Sequence, residues 1–379
     1  MKIMVSEEVC HEFKEHIATP LLSYYVRQLH VYYLEHRVQL GKELLKAWGR
    51  LCSEAVRQQR SRGKESVGYI LCSMLRTSIH TGSGIDRLDA YDGTWYFDPQ
   101  ECCASYDASW IYKPWKQYVQ DMLTRRQEYK GAISTVYIER LALGETSYFH
   151  RYVHHLFRSV LPELLEQEAF VQLQLSDPFE IRVGEYMDSS EGIYHRAASQ
   201  LENKAVRRWL ERRKELDYVY RTIPPADCSQ GDFAELDFRY SVLQKVHFDN
   251  SKLEKGVWLG TRFEGCSMRE ANAQRCFLYD AVFKDCDLRE ADFSGAMGNQ
   301  YTWDEQEKMY YGMEGVDFGG SDLTGANFRG AMLEGARFDG AVLKETDFTG
   351  ASLKDAVFAR EACGQTAWSE RQLAEIRWV

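Results

Sequence analysis

The chain has 379 residues, 44% of them hydrophobic and 27% charged, an ordinary soluble composition long enough for two domains with full cores and without the signature of disorder. No run approaches the roughly 20 apolar residues of a membrane span, and the opening stretch from Met1 to Glu8 lacks an apolar signal region, so the expected location is the cytoplasm, away from any membrane. The net charge of −10 lies wholly in residues 226–379, which hold 27 Asp and Glu against 17 Lys and Arg, while residues 1–225 balance at 30 of each. An acidic C-terminal part repels phosphates, which argues against direct nucleic acid binding by that surface and makes basic protein surfaces its natural partners.

From the N-terminus, Thr19-Pro20 reads as a cap followed by proline at the first helical position. Leu22, Tyr25, Val26, Leu29, Tyr32 and Tyr33, then Leu40, Leu44, Leu45, Trp48, Leu51, Cys52 and Val56 continue at helical spacing, so a long helix to about Gln59 is expected. The basic stretch Arg57 to Lys64, with Gly63, ends it and reads as a solvated turn. Asp92-Gly93 stands between two runs rich in aromatic and aliphatic residues, 85–91 and 94–98, and predicts a β-hairpin; Phe179 to Met187 alternates in the same way and is expected to pair with it in a small antiparallel sheet. The acids and aromatics of that hairpin, Asp86, Asp89, Asp92, Trp95, Tyr96 and Asp98, have the make-up of an acid–base site, but the simpler expectation is a solvated strand face. Tyr112 to Tyr129, Ser134 to Leu165 and about Ala198 to Tyr218 are helical in spacing, and Pro224-Pro225 marks a domain boundary.

The usual catalytic signatures are absent from the sequence. Thr81-Gly82-Ser83-Gly84 lacks the flanking glycines of a nucleophile elbow or a dinucleotide loop, and Gly63-Lys64 has no glycine five residues earlier for a phosphate loop. His150 and His154 share a helix face at metal-ligand spacing but lack an acidic third ligand nearby, and the ten cysteines contain no Cys-x-x-Cys pair, only the adjacent Cys102 and Cys103. The expectation is therefore no metal, no cofactor and reduced thiols.

Beyond Pro225 the pattern changes. Stepping by five from Cys228 meets Phe233, Phe238, Leu243, Phe248, Leu253, Trp258, Phe263, Met268, Ala273, Leu278, Phe283, Leu288 and Phe293; the frame resumes at Phe318 and runs to Phe358. Two residues before each stands a mostly small residue, such as Ser241, Ala271 or Ala336, and the other three positions are largely polar. Neither a helical period of 3.6 nor a strand period of 2 buries such a set on one face, whereas a coil turning a corner every five residues does. Units such as 291–295, 321–325 and 326–330 resemble pentapeptide repeats. That resemblance covers about the last third of the chain and implies a right-handed quadrilateral β-helix, with four pentads per coil. The residues support four sides independently: Phe and Leu alternate from Phe318 to Phe358, so a 20-residue period stacks Phe318, Phe338 and Phe358 on one another. The 23 units make just under six coils, about 28 Å of rod at the usual strand spacing. Cys266, Cys276 and Cys286 fall on the small inward position, as small buried hydrophobes.

The frame breaks from about Tyr301 to Gly315. As wall, this stretch would point Lys308 inward unpaired and put Tyr301 and Tyr311 at small-residue positions, so it must leave the rod. An excursion carrying Tyr301, Trp303, Asp304, Glu305, Met309, Tyr310 and Tyr311 has the composition of a protein contact and is the candidate partner-binding site; the alternative is a short helix folded back over the wall. Ser369 caps a final helical turn that would cover the open end of the solenoid. The expected architecture is thus a mainly helical α+β domain with a small antiparallel sheet (1–222), a pentapeptide-repeat β-helix interrupted at about 299–315 (223–360), and a capping helix (361–379). The function expected first is an adaptor or scaffold that docks a protein partner on the acidic rod and its aromatic loop. The alternatives are an enzyme acting on a peptide or small metabolite through the N-terminal domain, and a DNA-mimicking topoisomerase-protection protein. The resemblance allows the last, but the short rod and the large preceding domain argue against it.

Overall fold

The computed structural model describes residues 7–61, 63–196 and 203–379. Its first unit comprises Met1–Tyr194 and Glu305–Met309, its second His195–Asp304 and Tyr310–Val379. The division falls before the expected boundary at 222, because residues ahead of the prolines pack into the core of the second unit. No helix among the described residues is long and apolar enough to cross a membrane.

In the first unit, helix α1 (Glu7–Phe13) runs through a π-helical turn (Lys14–Ala18) into α2 (Thr19–Ser61). Thr19-Pro20 is therefore an internal joint rather than a helix start: Thr19 is helical, and its N–H bonds to the carbonyl of Lys14. Proline has no N–H to give to the preceding turn and its ring crowds the carbonyl there; a turn widened to i→i+5 relieves both. The stripe Leu22, Val26, Leu29, Tyr33, Leu40, Leu44, Trp48 and Leu51 is buried as its spacing requires. The stretch after α2 is not simply a solvated turn. Lys64 is buried, its Nζ 2.6 Å from Asp98 Oδ2 and 2.9 Å from the carbonyl of Gln100.

The sheet is mixed, not purely antiparallel. Strands β1 (Val67–Met74), β2 (Ile85–Asp92), β3 (Cys103–Asp107), β4 (Leu175–Glu185) and β5 (Ser190–Arg196) lie in the order β3-β2-β1-β4-β5. β2 pairs antiparallel with β1 and β3, while β1 pairs parallel with β4. The hairpin expected at Asp92-Gly93 does not form: Asp92 Oδ1 accepts the N–H of Thr94 at 2.7 Å, and the chain enters a short 3-10 turn at Trp95–Phe97 instead of returning as a strand. Phe179 to Glu185 joins the sheet, but beside β1. Between β1 and β2 sits α3 (Arg76–Thr81); between β3 and β4 come α4 (Ser109–Arg125), α5 (Thr135–Gly144), α6 (Thr146–Ser159), α7 (Leu161–Glu166) and α8 (Glu168–Val171), a crossover of the kind a parallel pair needs. The helical run expected from Ser134 to Leu165 is broken at Glu145 and Val160, where the backbone leaves the helical region.

In the second unit α9 (Asn203–Glu211) precedes the coils; the part of the expected helix at 198–202 lies outside the described residues. Val206, Leu210 and Tyr218 share a continuous core with Ile223, Phe238 and the rest of the inward frame. Parallel bridges join residues 20 apart, as Asp237 with Val257 and Asp322 with Val342. Rings stack like on like: Phe318 on Phe338 at 5.2 Å and Phe338 on Phe358 at 4.6 Å between centroids. The small inward position is small because the neighbouring ring fills the space; a Cβ on Gly256 would lie 2.4 Å from Trp258 Nε1. Where that position is polar it donates to the coil before. Ser251 Oγ reaches the carbonyl of Cys228 at 2.9 Å, Thr261 Oγ1 that of Phe238 at 2.7 Å, and Cys276 Sγ that of Leu253 at 3.1 Å, so these cysteines occupy the slot that serine and threonine fill elsewhere. Every fifth residue turns the corner with positive φ, and from Gly320 to Gly340 glycine stands there at each turn, avoiding the roughly 1 kcal/mol that a side chain costs. At the C-terminal end Ser369 caps α10 (Glu370–Glu375) in a capping box, Gln372 Nε2 donates to the carbonyls of Phe348 and Ala351, and Trp368 stacks on Phe348 at 5.3 Å.

Across the interruption the bridge step lengthens from 20 to 35: Val282 pairs with Asp317, Asp292 with Asn327 and Met297 with Met332. The excursion therefore adds three pentads' worth of chain and returns in frame.

Candidate protein-binding surface

The first unit gathers the polar residues noted in the sequence, but not on a solvated face. Asp86, Asp89 and Asp92 are all buried, because β2 is an internal strand covered by helices on one face and by the Trp95–Tyr96 segment on the other. Asp86 accepts from Tyr112 Oη at 2.7 Å and lies 2.8 Å from His150 Nε2, tying α4 and α6 to the sheet. Asp86, Tyr112 and His150 are each no more than 2% exposed, so this network is sealed from solvent and positions helices. Asp89 pairs with Arg87 at 2.7 Å, yet burial still holds its carboxyl above the usual range. Trp95 and Tyr96 belong to an aromatic cluster, with Tyr69 3.9 Å from Trp95 and the Arg182 guanidinium 5.5 Å over the same ring. His154 is committed to the carbonyl of Val183 at 3.1 Å and to Glu191 at 3.3 Å, and burial pushes its imidazole well below the usual range. Among the described residues no group of three or more His, Cys, Asp or Glu is placed to hold a metal ion.

The second unit presents a more distinctive surface. In each coil the residue just before each large inward one faces out, and stacking turns these positions into four ladders. Three are polar or mixed, as in Asp232, Lys252, Asn272, Asp292 or in Asp227, His247, Ser267, Asp287. The fourth runs Asp237, Val257, Phe277, Met297, Met332, Ser352, with four consecutive apolar rungs. Phe277 is 38% and Met332 40% exposed. Tyr279 lies two residues beyond Phe277, half-buried.

The excursion leaves from this same ladder. Gly298 follows Met297, the N–H of Val316 returns to the Gly298 carbonyl at 3.0 Å, and the intervening chain is a hairpin of strands Thr302–Asp304 and Met309–Tyr311, not a folded-back helix. At its base the Tyr301 N–H bonds to the Gly312 carbonyl at 2.8 Å, and Gly312 is required: its φ is +71°, and a Cβ would lie 2.1 Å from the carbonyl oxygen of Asn299. Trp303 meets Tyr310 edge-to-face at 5.0 Å on one face of the hairpin, and the next residue, Tyr311, turns to the other face and stacks on Tyr279 at 5.7 Å beside the ladder. Asp304 ends the first strand. Glu305 and Met309 group with the first unit, where Glu305 pairs with the buried Lys308 and lies 3.7 Å from Arg27, and Arg151 donates to the Glu307 carbonyl at 2.5 Å. The structure thus brings together Tyr301, Trp303, Asp304, Tyr310 and Tyr311 and assigns the tip elsewhere.

Near the base of the hairpin lie three acceptors. Asp280 accepts the N–H of Glu314 at 2.7 Å, and burial pushes its carboxyl up to about 6. Asn299 Oδ1 and Glu334 Oε2 are shielded from solvent without a hydrogen-bond partner, on neighbouring segments joined by the bond from Gln300 N–H to the Glu334 carbonyl at 2.8 Å. The apolar ladder escaped the five-residue reading, which treats its positions as polar. Its signal emerges when the chain is folded at a period of 20, where Val257, Phe277 and Met297 align directly and Met332 joins them once the 15-residue excursion is removed.

A family model of pentapeptide repeats matches residues 258–297 and 321–359, with eight copies. The C-terminal third of the chain is a pentapeptide-repeat region. No curated protein sequence matches the chain. Among solved structures it is similar to full-length QnrB1, a plasmid-mediated fluoroquinolone resistance protein, at 13% identity over 42% of this chain and 84% of that one with a TM-score of 0.22. It is similar to HetL, a pentapeptide repeat protein involved in heterocyst differentiation regulation from the cyanobacterium Nostoc sp. strain PCC 7120, at 18% identity over 36% and 83% with a TM-score of 0.16. A third is Rfr23 from the cyanobacterium Cyanothece 51142, at 17% identity over 43% and 99% with a TM-score of 0.14.

Proposed function

We propose that this chain is a cytoplasmic adaptor or scaffold whose repeat region, coiled as a right-handed four-sided β-helix, docks a protein partner. The observation that carries the reading is the run of four apolar rungs beside an aromatic hairpin on a rod whose other ladders are polar or mixed. Exposed Phe and Met have no reason to align on one side of a self-sufficient solenoid, and aromatic and Met side chains are what protein interfaces concentrate. The ten free thiols fit a reducing compartment. Affinity capture from the native host, comparing wild type with Trp303→Ala, Phe277→Ser and deletion of Asn299–Met313, tests the proposal. The expected result is a partner present with wild type and lost with all three. Identical partners for all four proteins would overturn it.

A further inference from the structure

Resting on that reading, we infer that the apolar ladder takes an α-helix of the partner, lying along the rod axis with an aliphatic stripe flanked on one side by Lys or Arg. The spacing selects a helix. Rungs one coil apart are about 4.8 Å apart, so Val257 to Met332 spans about 14 Å. A helix presents one stripe residue per turn of about 5.4 Å, about 16 Å over three turns, and meets the rungs nearly one for one. A strand laid along the axis presents same-face residues every 6.6 Å or so and falls out of step after the second rung.

The rim selects the charge. Glu334, two residues past Met332 and only half-buried, carries an acid on that edge of the ladder, and a carboxylate there pairs with an ammonium or guanidinium brought by the partner. The repeat region's excess of acids over bases draws the same kind of partner.

Fluorescein-labelled helical peptides with a leucine stripe, one series flanked by Arg and one by Glu, should be titrated into the full chain and followed by anisotropy. The Arg series is expected to bind, with Phe277→Ser and Met332→Ser each weakening it about tenfold. Glu334→Gln should weaken the Arg series several-fold and leave the Glu series unchanged. Phe277 and Met332 are surface residues, so their variants should keep the wild-type melting profile, which is checked first. Equal binding of the two series, or indifference to Phe277→Ser, overturns the inference. So does a dimer seen by sedimentation and abolished by Phe277→Ser, which would make a second copy the occupant. Failure of the peptides while host capture still depends on Phe277 sinks the helix assignment alone; loss of that capture dependence sinks the adaptor reading as well.

Discussion

Truncation of Phe338 to alanine separates the inward wall from the outward one. The ring is fully buried, stacked between Phe318 at 5.2 Å and Phe358 at 4.6 Å, and edge-to-face with Phe328 at 5.9 Å and Phe348 at 5.4 Å. Removing a buried phenyl group costs about 3 to 5 kcal/mol from lost transfer energy and the cavity left behind. The wall around it is hydrogen-bonded to the coils on both sides, as in the 2.8 Å bonds from Phe338 N–H to Val357 O and from Phe318 N–H to Arg337 O, so it has little freedom to collapse. The loss should therefore lie near the upper end, about 4 to 5 kcal/mol. Asp339, the next residue, faces out and pairs with Arg337 at 3.0 Å, which holds its carboxyl below the usual range. That pair is partly exposed, and its loss in Asp339→Ala should be below about 0.5 kcal/mol. Urea unfolding of the full chain, with amide exchange read at Phe318, Phe338 and Phe358, measures both. Comparable losses for the two variants, or a change confined to Asp339→Ala, would refute the inward assignment.

Because the excursion restores its frame after 15 extra residues, deleting Asn299–Met313 should leave the repeat region folded, while deleting Asn299–Gly312, one residue fewer, should misplace every later inward ring; circular dichroism and thermal melting distinguish them. Lys64→Met should cost about 3 to 5 kcal/mol by stranding the buried Asp98 carboxylate, and Asp98→Asn added to it should recover part of the loss in the same unfolding assay, because the uncharged amide still accepts one of the N–H bonds that Asp92 and Gln100 give to this side chain. Asp86→Ala should destabilise the first unit by about 2 to 4 kcal/mol, since His150 and Tyr112 both lose their partner; a change under 1 kcal/mol would mean the network contributes nothing. His30 is lowered to about 4 by burial, below its unfolded value of 6.5, so its contribution is present above pH 6.5 and lost as pH falls towards 4. His30→Gln should flatten the acid limb of the stability curve by up to about 3 kcal/mol, and an unchanged limb would contradict the assignment.

The repeat frame was legible because it is local: a pentad needs only its own five residues to show which two go inward. The long helix was legible for the same reason, through Leu22, Val26, Leu29 and their successors, although Pro20 misled as to where it starts. The sheet was not. Asp92-Gly93 has the chemistry of a tight turn, but Asp92 spends its carboxylate on Thr94, and the partners of β2 come from 67–74 and 103–107. Nothing local marks Asp86 or Asp89 as buried, since burial depends on helices supplied 25 to 65 residues later. The run Val67 to Met74, almost unbroken in apolar residues, was the one available sign of a central strand. At the candidate surface the excursion was legible from the break in the five-residue frame, while the alignment of Phe277 with Met332 was not, because it appears only once the coils are stacked across that excursion.

In the proposed role the apolar ladder and the hairpin meet another protein. A photo-crosslinking amino acid placed at Phe277, with a control at Asn272 on a polar ladder, tests it in host cells under native expression. A discrete intermolecular adduct is expected at position 277, reduced by deletion of Asn299–Met313, and none at 272. Adducts at both positions alike, or at 277 only with residues of the same chain, would contradict it.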